Sequence, residues 1–289
     1  MDAFAAGQLS RSLDPLHSAS YFVPEATEKF RALGLTGRTS YFAARSAPMG
    51  AVGPKVVAAT FFNFSPELIA AYIPSAWRLA APDTITRVRY EVVDAALPRI
   101  LGDELTNSPE MLAAAALLRR TAESIPNGDG RPLYSGHAEL DWPDEPYGQV
   151  WHAITLLREY RGDGHVAVLL AHGLTGLESL ITHIATGIGF DPEFGRTLRG
   201  WTREQWHAGV EGLRDRGLLD QDGVLTQAGV DLRSAIEDRT DDLAYAPWRT
   251  LSDDEVGELT RIAAAFRSAV QSAKLFPTGA FGPRYGQHR

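Results

Sequence analysis

The chain has 289 residues, with 36 acidic side chains against 28 basic ones and a formal net charge of −8. Hydrophobic residues make up 44% of the chain and charged residues 22%, which is typical of a globular protein of one or two domains. The acidic balance gives no overall attraction to DNA or to anionic membranes. The absence of cysteine excludes disulfide bonds, thiolate zinc sites and a cysteine nucleophile.

Two further features indicate a cytoplasmic protein with no membrane partner. No apolar run approaches the roughly 18 residues that a transmembrane helix requires. The N-terminal stretch MDAFAAGQLSRSLDPLHS lacks the cationic and then apolar pattern of a secretory signal.

The first half of the chain is predicted to be mostly helical. Apolar residues recur at helical spacing, with start and stop signals, in the segments 24–33, 37–49, 65–80, 84–102 and 108–124. Two stretches rich in turn residues, NGDGRPLYSG (127–136) and DWPDEPYG (141–148), predict loops. These loops separate two predicted domains, 1–140 and 141–289.

The second half predicts six more helices, over 148–161, 164–172, 176–186, 202–217, 226–240 and 253–273. Thr175 with Glu178, and Thr202 with Gln205, have the spacing of capping boxes at two helix starts. The segment LDQDGVLTQAG predicts a short turn and strand with Gly223 at the turn. The final segment, FPTGAFGPRYGQHR, is expected to lie extended on the surface.

One short sequence occurs twice. FRALGLTG at 30–37 and LLAHGLTG at 169–176 share GLTG at an offset of 139 residues. In both copies an apolar helix follows, and an aromatic residue, Phe64 or Trp201, later precedes another helix start. The offset exceeds the roughly 20–50 residues of a solenoid repeat. We therefore infer a duplicated domain whose two halves pair as a dimer would.

The second half has the element order of a winged helix-turn-helix. The string GVEGLRDRGLLDQDGVLTQAGVDLRSAIEDRTDDLA resembles the recognition helix, wing and long following helix of the MarR group. Nearly the whole chain further resembles an actinobacterial family of single-chain, tandem winged-helix proteins, through AARSAPMGAVGPKVVAATFFNFSPEL, WHAITLLREYRGDGH and the final LAYAPW.

This resemblance implies a mainly α fold with small β wings, in which tandem winged helix-turn-helix repeats form a MarR-like pseudo-dimer. It carries no established catalytic residues. The first-half wing is expected to be degenerate, because LAAPDTITRVRY lacks a glycine-bearing turn.

The charges of the two predicted recognition helices argue against DNA binding. The second-half helix, 202–220, has three arginines and four acidic residues, and SPELIAAYIPSAWRLA in the first half has only Arg78 with Glu67. Lys and Arg contacts to phosphates supply much of the affinity for DNA. A protein that binds DNA with two-fold symmetry also needs two similar recognition helices. We therefore expect weak or no sequence-specific DNA binding.

Polar side chains on apolar helices instead predict an internal cavity. Arg45, one turn after Tyr41, interrupts an apolar helix, and a buried guanidinium needs an anionic partner or ligand. An arginine there would hold a carboxylate or phosphate bidentately, so the expected ligand is a small, anionic organic molecule. The candidate ligand-binding residues are Tyr41, Arg45, Trp151, His152, Arg158, His165, His172 and His183.

Histidines titrate near neutral pH, so His165 and His183 are also candidate catalytic groups. Structural alternatives remain open for Arg45, Arg158, His165, His172 and His183. His172 precedes Gly173, a helix-ending glycine that favours a cationic neighbour. Arg45 could form a structural ion pair, and His183 could be a satisfied core histidine.

No motif for a nucleotide cofactor occurs, and no HExxH indicates a zinc site, although the histidines leave haem or metal ligation open. Three functions remain: a winged-helix scaffold that binds a small molecule, with or without catalysis on it; a ligand-responsive, MarR-like transcriptional regulator; and a partner-docking protein. The sequence favours the first, as a monomer or weak homodimer.

Overall fold

The computed structural model describes residues 1–276 and 279–284. These residues form fourteen α-helices: α1 (Ala3–Ala19), α2 (Pro24–Ala32), α3 (Arg38–Ser46), α4 (Pro54–Thr60), α5 (Pro66–Leu79), α6 (Pro82–Thr106), α7 (Pro109–Glu123), α8 (Pro132–Ala138), α9 (Pro146–Ala171), α10 (Gly176–Ala185), α11 (Pro192–Arg199), α12 (Arg203–Asp215), α13 (Gln227–Ala244) and α14 (Asp253–Ser272). The prediction of a mainly helical fold is confirmed.

The helix prediction is wrong at a few places. The predicted segments 148–161 and 164–172 form one continuous helix, α9, and Gly164 makes room there for Arg131, whose Nη1 would lie 2.6 Å from an added Cβ. The predicted loop 127–136 contains the start of α8, with Pro132 in its first turn, where proline is well tolerated. The helices α1, α4 and α11 were not predicted.

The chain divides into two compact units. The first consists of Met1–Val52, Tyr72–Gly164 and Asp241–Leu275, and the second of Gly53–Ala71, His165–Thr240 and the described part of Phe276–Arg289. The sequence repeat predicts a different division of the chain, into domains 1–140 and 141–289. The boundary between these two domains stays a prediction.

In the first unit, α1 packs against α14, and α2 packs against α6. On α14 the buried residues recur at helical spacing, as in Leu259, Ile262, Phe266 and Val270, and this apolar stripe faces the core. The largest fully buried side chain is that of Trp151 on α9.

The helix order repeats along the chain. The starts of α3 and α10 lie 138 residues apart, those of α4 and α11 also 138, and those of α5 and α12 137. The next pair, α6 and α13, is offset further because the second copy contains an additional turn between Leu219 and Leu225. The repeated order agrees with the sequence repeat, whereas pairing of the halves as a pseudo-dimer stays a prediction.

The shared GLTG sequence forms the same helix ending twice. The Leu35 amide donates to the Phe30 carbonyl at 3.0 Å, and the Leu174 amide donates to the Leu169 carbonyl at 3.0 Å. The preceding residues, Gly34 and Gly173, have φ angles of 79° and 68°, which glycine adopts without steric cost.

The predicted turn at Gly223 is confirmed, whereas the predicted β wing stays a prediction. Gly223 has a φ of 78°, and the Asp220 amide donates to the Val224 carbonyl at 2.9 Å. Among the described residues no sheet forms, and the pairing of Leu219 with Leu225 is an isolated antiparallel bridge.

The expectation of an extended surface tail is wrong for Ala280, which is 1% exposed. The Ala280 carbonyl accepts from the Asp191 amide at 3.0 Å, and the Gly282 amide donates to the Gly189 carbonyl at 2.8 Å. Residues 277–278 and 285–289 of the predicted tail lie outside the described residues.

Within the described chain, no single helix is both long and apolar enough to span a membrane; α9 and α10 pass that test only together, as a bent pair.

Candidate functional site

The eight predicted site residues fall into two groups. Tyr41, Arg45, Trp151, His152 and Arg158 belong to the first unit. His165, His172 and His183 belong to the second unit. Their roles in binding or catalysis stay predictions.

In the first unit, Glu159 on α9 lies at the centre of an ion cluster and is completely buried. Arg45 donates from Nε and Nη2 to the two Glu159 carboxylate oxygens at 3.2 and 2.9 Å. Arg158 donates from Nη1 to Glu159 Oε1 and from Nε to Asp14 Oδ1, each at 2.7 Å. Burial opposes ionisation of Glu159, but Arg45 and Arg158 outweigh it and hold its pKa well below the usual value.

The bidentate pair supplies the anionic partner that the Arg45 guanidinium requires. Its side chain is 13% exposed, and Glu159, which lies 114 residues away in sequence, balances its charge. The structural ion pair is therefore present, and the charge of Arg45 by itself does not require a ligand.

A second polar network surrounds Trp151 and was missed by the sequence analysis. Arg89 on α6 is 3% exposed, and its guanidinium lies 4.7 Å from the centre of the Trp151 ring. It donates from Nη1 to His137 Nε2 at 2.7 Å and from Nη2 to the Tyr21 hydroxyl at 3.3 Å. His17 stacks on Trp151 with 5.3 Å between the ring centres.

The order of these hydrogen bonds implies the proton positions on His17. The Thr155 hydroxyl donates to the Trp151 carbonyl at 2.9 Å, so it accepts from His17 Nδ1 at 2.9 Å. His17 Nε2 then accepts from the Tyr21 hydroxyl at 3.1 Å. The result is a directed chain of hydrogen bonds from Arg89 through Tyr21 and His17 to Thr155.

The buried histidines of the first unit are neutral at neutral pH. Burial, and then the charge of Arg89, lowers the pKa of His137 to about 3 and that of His152 to about 4. Burial, followed by the charges of Arg158 and Arg89, also lowers the pKa of His17 well below its usual value.

His152 lies at one side of this network. Its Nδ1 is hydrogen-bonded to the Tyr90 hydroxyl at 2.6 Å, and its ring packs edge-on against Trp142 with 4.6 Å between the centres. Its Nε2 is buried and has no hydrogen-bond partner among the described residues.

The networks reach the surface through side chains that are only partly buried. Tyr21 and Tyr41 are half-buried, with their ring centres 5.2 Å apart, and the Arg158 side chain is 29% exposed. We call the whole set the polar cluster; its members are His17, Tyr21, Tyr41, Arg45, Arg89, His137, Trp151, Thr155, Arg158 and Glu159.

The sequence contains a pattern that could have identified Arg89 as a buried polar residue. Arg89 lies one turn after Ile85 and one turn before Val93, so it interrupts an apolar helical stripe in the way that Arg45 does. His17 likewise lies one turn after the buried Leu13.

The second-unit histidines have structural contacts. The Thr240 hydroxyl donates to the Ile236 carbonyl, so it accepts from His165 Nδ1 at 2.8 Å. His183 packs so closely on Gly189 that an added Cβ would lie 2.8 Å from its ring. His172 follows the end of α9 and precedes Gly173, which has a left-handed φ of 68°.

The second unit also contains a helix-turn-helix. Three residues join α11 to α12, and the first of them, Gly200, has a left-handed conformation with φ 78° and ψ 23°. The predicted capping box of Thr202 and Gln205 is confirmed at the start of α12, and that of Thr175 and Glu178 is confirmed at the start of α10. A short glycine-containing turn between two helices is typical of this motif.

The α11–α12 turn is bonded to the corresponding turn between α4 and α5. The Ser65 amide donates to the Arg199 carbonyl at 2.8 Å, and Trp201 Nε1 donates to the Asn63 carbonyl at 3.0 Å. These bonds hold the start of α5 beside the start of α12. Recognition helices that read two half-sites are instead separated by about 34 Å.

Each arginine of 202–220 has an acidic partner. Arg203 pairs with Glu193, Arg214 pairs with Glu211, and Arg216 pairs with Glu178. The expectation of weak or no sequence-specific DNA binding stays a prediction.

The described residues contain no group of three or more histidine or carboxylate side chains placed to hold a metal ion.

Comparison with known proteins identifies the class of the chain. No curated protein and no solved structure gave a match. The model of one family, described as a helix-turn-helix family, matches residues 6–277, which include both copies of the repeated helix order. The chain therefore belongs to this helix-turn-helix family.

Proposed function

We propose that this helix-turn-helix protein binds a small organic molecule at the polar cluster of the first unit. The observation that carries the proposal is the concentration of buried ionisable groups beneath two half-buried tyrosines, Tyr21 and Tyr41. Such clusters of perturbed groups are typical of functional sites.

Stability alone is a poor explanation of the cluster. Buried ion pairs often contribute no more stability than well-packed apolar residues of similar volume, because their charges lose hydration. Arg45 and Arg158 of the cluster are paired with Glu159. The hydrogen bonds of Arg89 instead go to His137 and Tyr21, so Arg89 is the cationic donor that suits recognition of an anionic organic molecule. If catalysis accompanies binding, the hydrogen-bonded Tyr21 and His17 are the proton-transfer pair.

In this proposal the cluster belongs to a cytoplasmic, single-chain pseudo-dimer of MarR-like, winged-helix ancestry, and an internal cavity adjoins the cluster. The repeated helix order supports the ancestry.

The second candidate function is a ligand-responsive regulator that binds DNA. The family and the α11–α12 geometry favour it. The bonds between the two turns and the acid-paired arginines of 202–220 weigh against it.

Ligand binding is tested with protein purified from its native host. Native mass spectrometry should detect a small molecule that is released on denaturation. The variant Arg158→Lys should retain less of it, whereas Arg261→Lys, which alters an exposed ion pair of the same unit, should retain as much as the wild type. Failure to retain any molecule, together with no thermal stabilisation by a library of organic acids, amines and neutral aromatics, would contradict the proposal.

DNA binding is tested by footprinting on the protein's own promoter at several salt concentrations. We expect no footprint at protein concentrations near the 10⁻⁸–10⁻¹¹ M at which specific complexes typically form. A tight, salt-sensitive footprint would instead establish the regulator.

A further inference from the structure

Two arginines of the polar cluster, Arg45 and Arg89, differ in the hydrogen bonds that their Nε–Nη2 edges make. Arg45 directs its Nε–Nη2 edge at both oxygens of the Glu159 carboxylate. On Arg89 the Nη2 atom of that edge makes one long bond to the Tyr21 hydroxyl, at 3.3 Å. The Arg89 Nε atom is buried and has no hydrogen-bond partner among the described residues. The edge that matches a carboxylate is therefore satisfied on Arg45 and largely unsatisfied on Arg89.

The charge of Arg89 is also poorly balanced. Its hydrogen-bond partners in the described part of the chain, His137 and Tyr21, are neutral groups, and Trp151 lies beneath its plane. Glu159 is already held by Arg45 and Arg158. A cation that is 3% exposed is costly without an anionic partner, and a carboxylate on the Nε–Nη2 edge would provide one.

Tyr21 contacts this edge through its hydroxyl, which accepts from Arg89 Nη2. It is half-buried, whereas Arg89 beneath it is buried, and its bond to Nη2 is the longer of the two that Arg89 makes. Rotation of the Tyr21 ring toward solvent would expose Nη2 without disturbing the shorter bond from Nη1 to His137.

We propose that the ligand of the polar cluster is a small organic carboxylate, bound bidentately by the Nε–Nη2 edge of Arg89 in place of the Tyr21 hydroxyl. This inference rests on the proposed function and deepens it, because it names the chemical class of the ligand and the residue that recognises it. The same edge of Arg45 holds the two carboxylate oxygens of Glu159, which is the precedent within the cluster for a carboxylate as the occupant of Arg89.

The experiment observes the Arg89 Nε–H group directly, by ¹H–¹⁵N NMR of the full chain. The probe is benzoate, with benzamide as its neutral analogue and inorganic phosphate as the alternative anion. Benzoate at millimolar concentration should shift the Arg89 Nε–H signal downfield in a saturable way. The same concentration of benzamide or of phosphate should leave the signal in place.

Matched variants of α6 assign the signal and test the site. Arg89→Lys removes the signal and should weaken benzoate binding by about tenfold or more, because lysine keeps the charge but cannot make two parallel bonds. Arg87→Lys, two residues away with a side chain that is 63% exposed, should leave benzoate binding unchanged. Tyr21→Phe should tighten benzoate binding, because the competing hydroxyl is gone.

An unmoved Arg89 signal at saturating benzoate, or an equal response to benzamide or phosphate, would overturn the inference. Triple-resonance assignment of the Arg89 Nε–H signal in the wild-type protein lets the wild-type measurement decide this even if Arg89→Lys fails to fold. If a molecule from the native host is retained and its loss follows Arg158→Lys while the Arg89 signal does not respond, the proposed function stands and only the carboxylate site is wrong.

Discussion

At the scale of single residues, the first unit depends on buried charges that compensate one another. Glu159 contacts Arg45 and Arg158 at once, so a change at one carboxyl group affects two guanidinium groups. Removal of one member of a buried charge pair costs more than the pair contributes, because the remaining charge stays desolvated.

The variant Glu159→Gln should lower the free energy of unfolding by about 3 kcal/mol, a value typical of breaking a buried ion pair. Urea denaturation followed by circular dichroism measures this change. Glu123→Gln is the matched control, because Glu123 forms an exposed pair with Arg119 and its loss should cost less than about 1 kcal/mol. Similar losses in the two variants would show that the Glu159 cluster is not energetically distinct from a surface pair.

At the scale of secondary-structure elements, the helix-turn-helix of the second unit depends on a backbone conformation. Gly200 ends α11 with a positive φ, and an added Cβ there would lie 2.7 Å from the Leu68 side chain on α5. Gly212, within α12, has no atom within 4 Å of an added Cβ. We therefore expect alanine substitution to have opposite effects on stability at Gly200 and at Gly212.

Gly200→Ala should destabilise the protein by about 2 kcal/mol, from the left-handed strain together with the contact on Leu68. Gly212→Ala should raise its stability by up to about 1 kcal/mol, because alanine favours a helix interior. Thermal unfolding of both variants beside the wild type measures the difference. A neutral Gly200→Ala would contradict the described turn.

At the scale of the whole molecule, the buried histidines make stability depend on pH. In the unfolded chain His137 and His152 bind protons below about pH 6.5, whereas in the folded protein their pKa values are about 3 and about 4. The contribution of these two histidines to the free energy of unfolding is therefore complete above about pH 6.5 and is lost as the pH falls toward 4. Each histidine contributes a slope of up to about 1.4 kcal/mol per pH unit.

The titration of Asp163 changes stability with pH in the opposite direction. Burial raises its pKa to about 6, so its contribution to stability decreases as the pH rises from about 4 to 6. We expect a net loss of stability between pH 7 and pH 5, because the histidines outnumber Asp163. In Asp163→Asn, whose side chain can still accept from the Tyr134 amide, the loss should be steeper. Equal free energies of unfolding at pH 7 and pH 5 would contradict the assignment of neutral buried histidines.

Local sequence patterns predicted those features that depend on neighbours in the chain. The repeated GLTG predicted two equivalent helix endings, and Thr202 with Gln205 predicted a capping box, because their hydrogen bonds are formed within a few residues. Arg45 was predicted to need an anionic partner, but no local pattern could identify Glu159, which lies on another helix.

The sequence by itself determined the mainly helical fold, the repeated helix order and the acidic character of α12, since periodicity, caps and charge are local properties. Tertiary structure alone decided which polar groups meet. It buried Arg89 against Trp151 and placed His137 and Tyr21 on its donors. It also bonded the α11–α12 turn to the turn between α4 and α5 through Ser65 and Trp201. The physical reason is that desolvation and charge pairing depend on distances between helices, which a pattern along one helix does not contain.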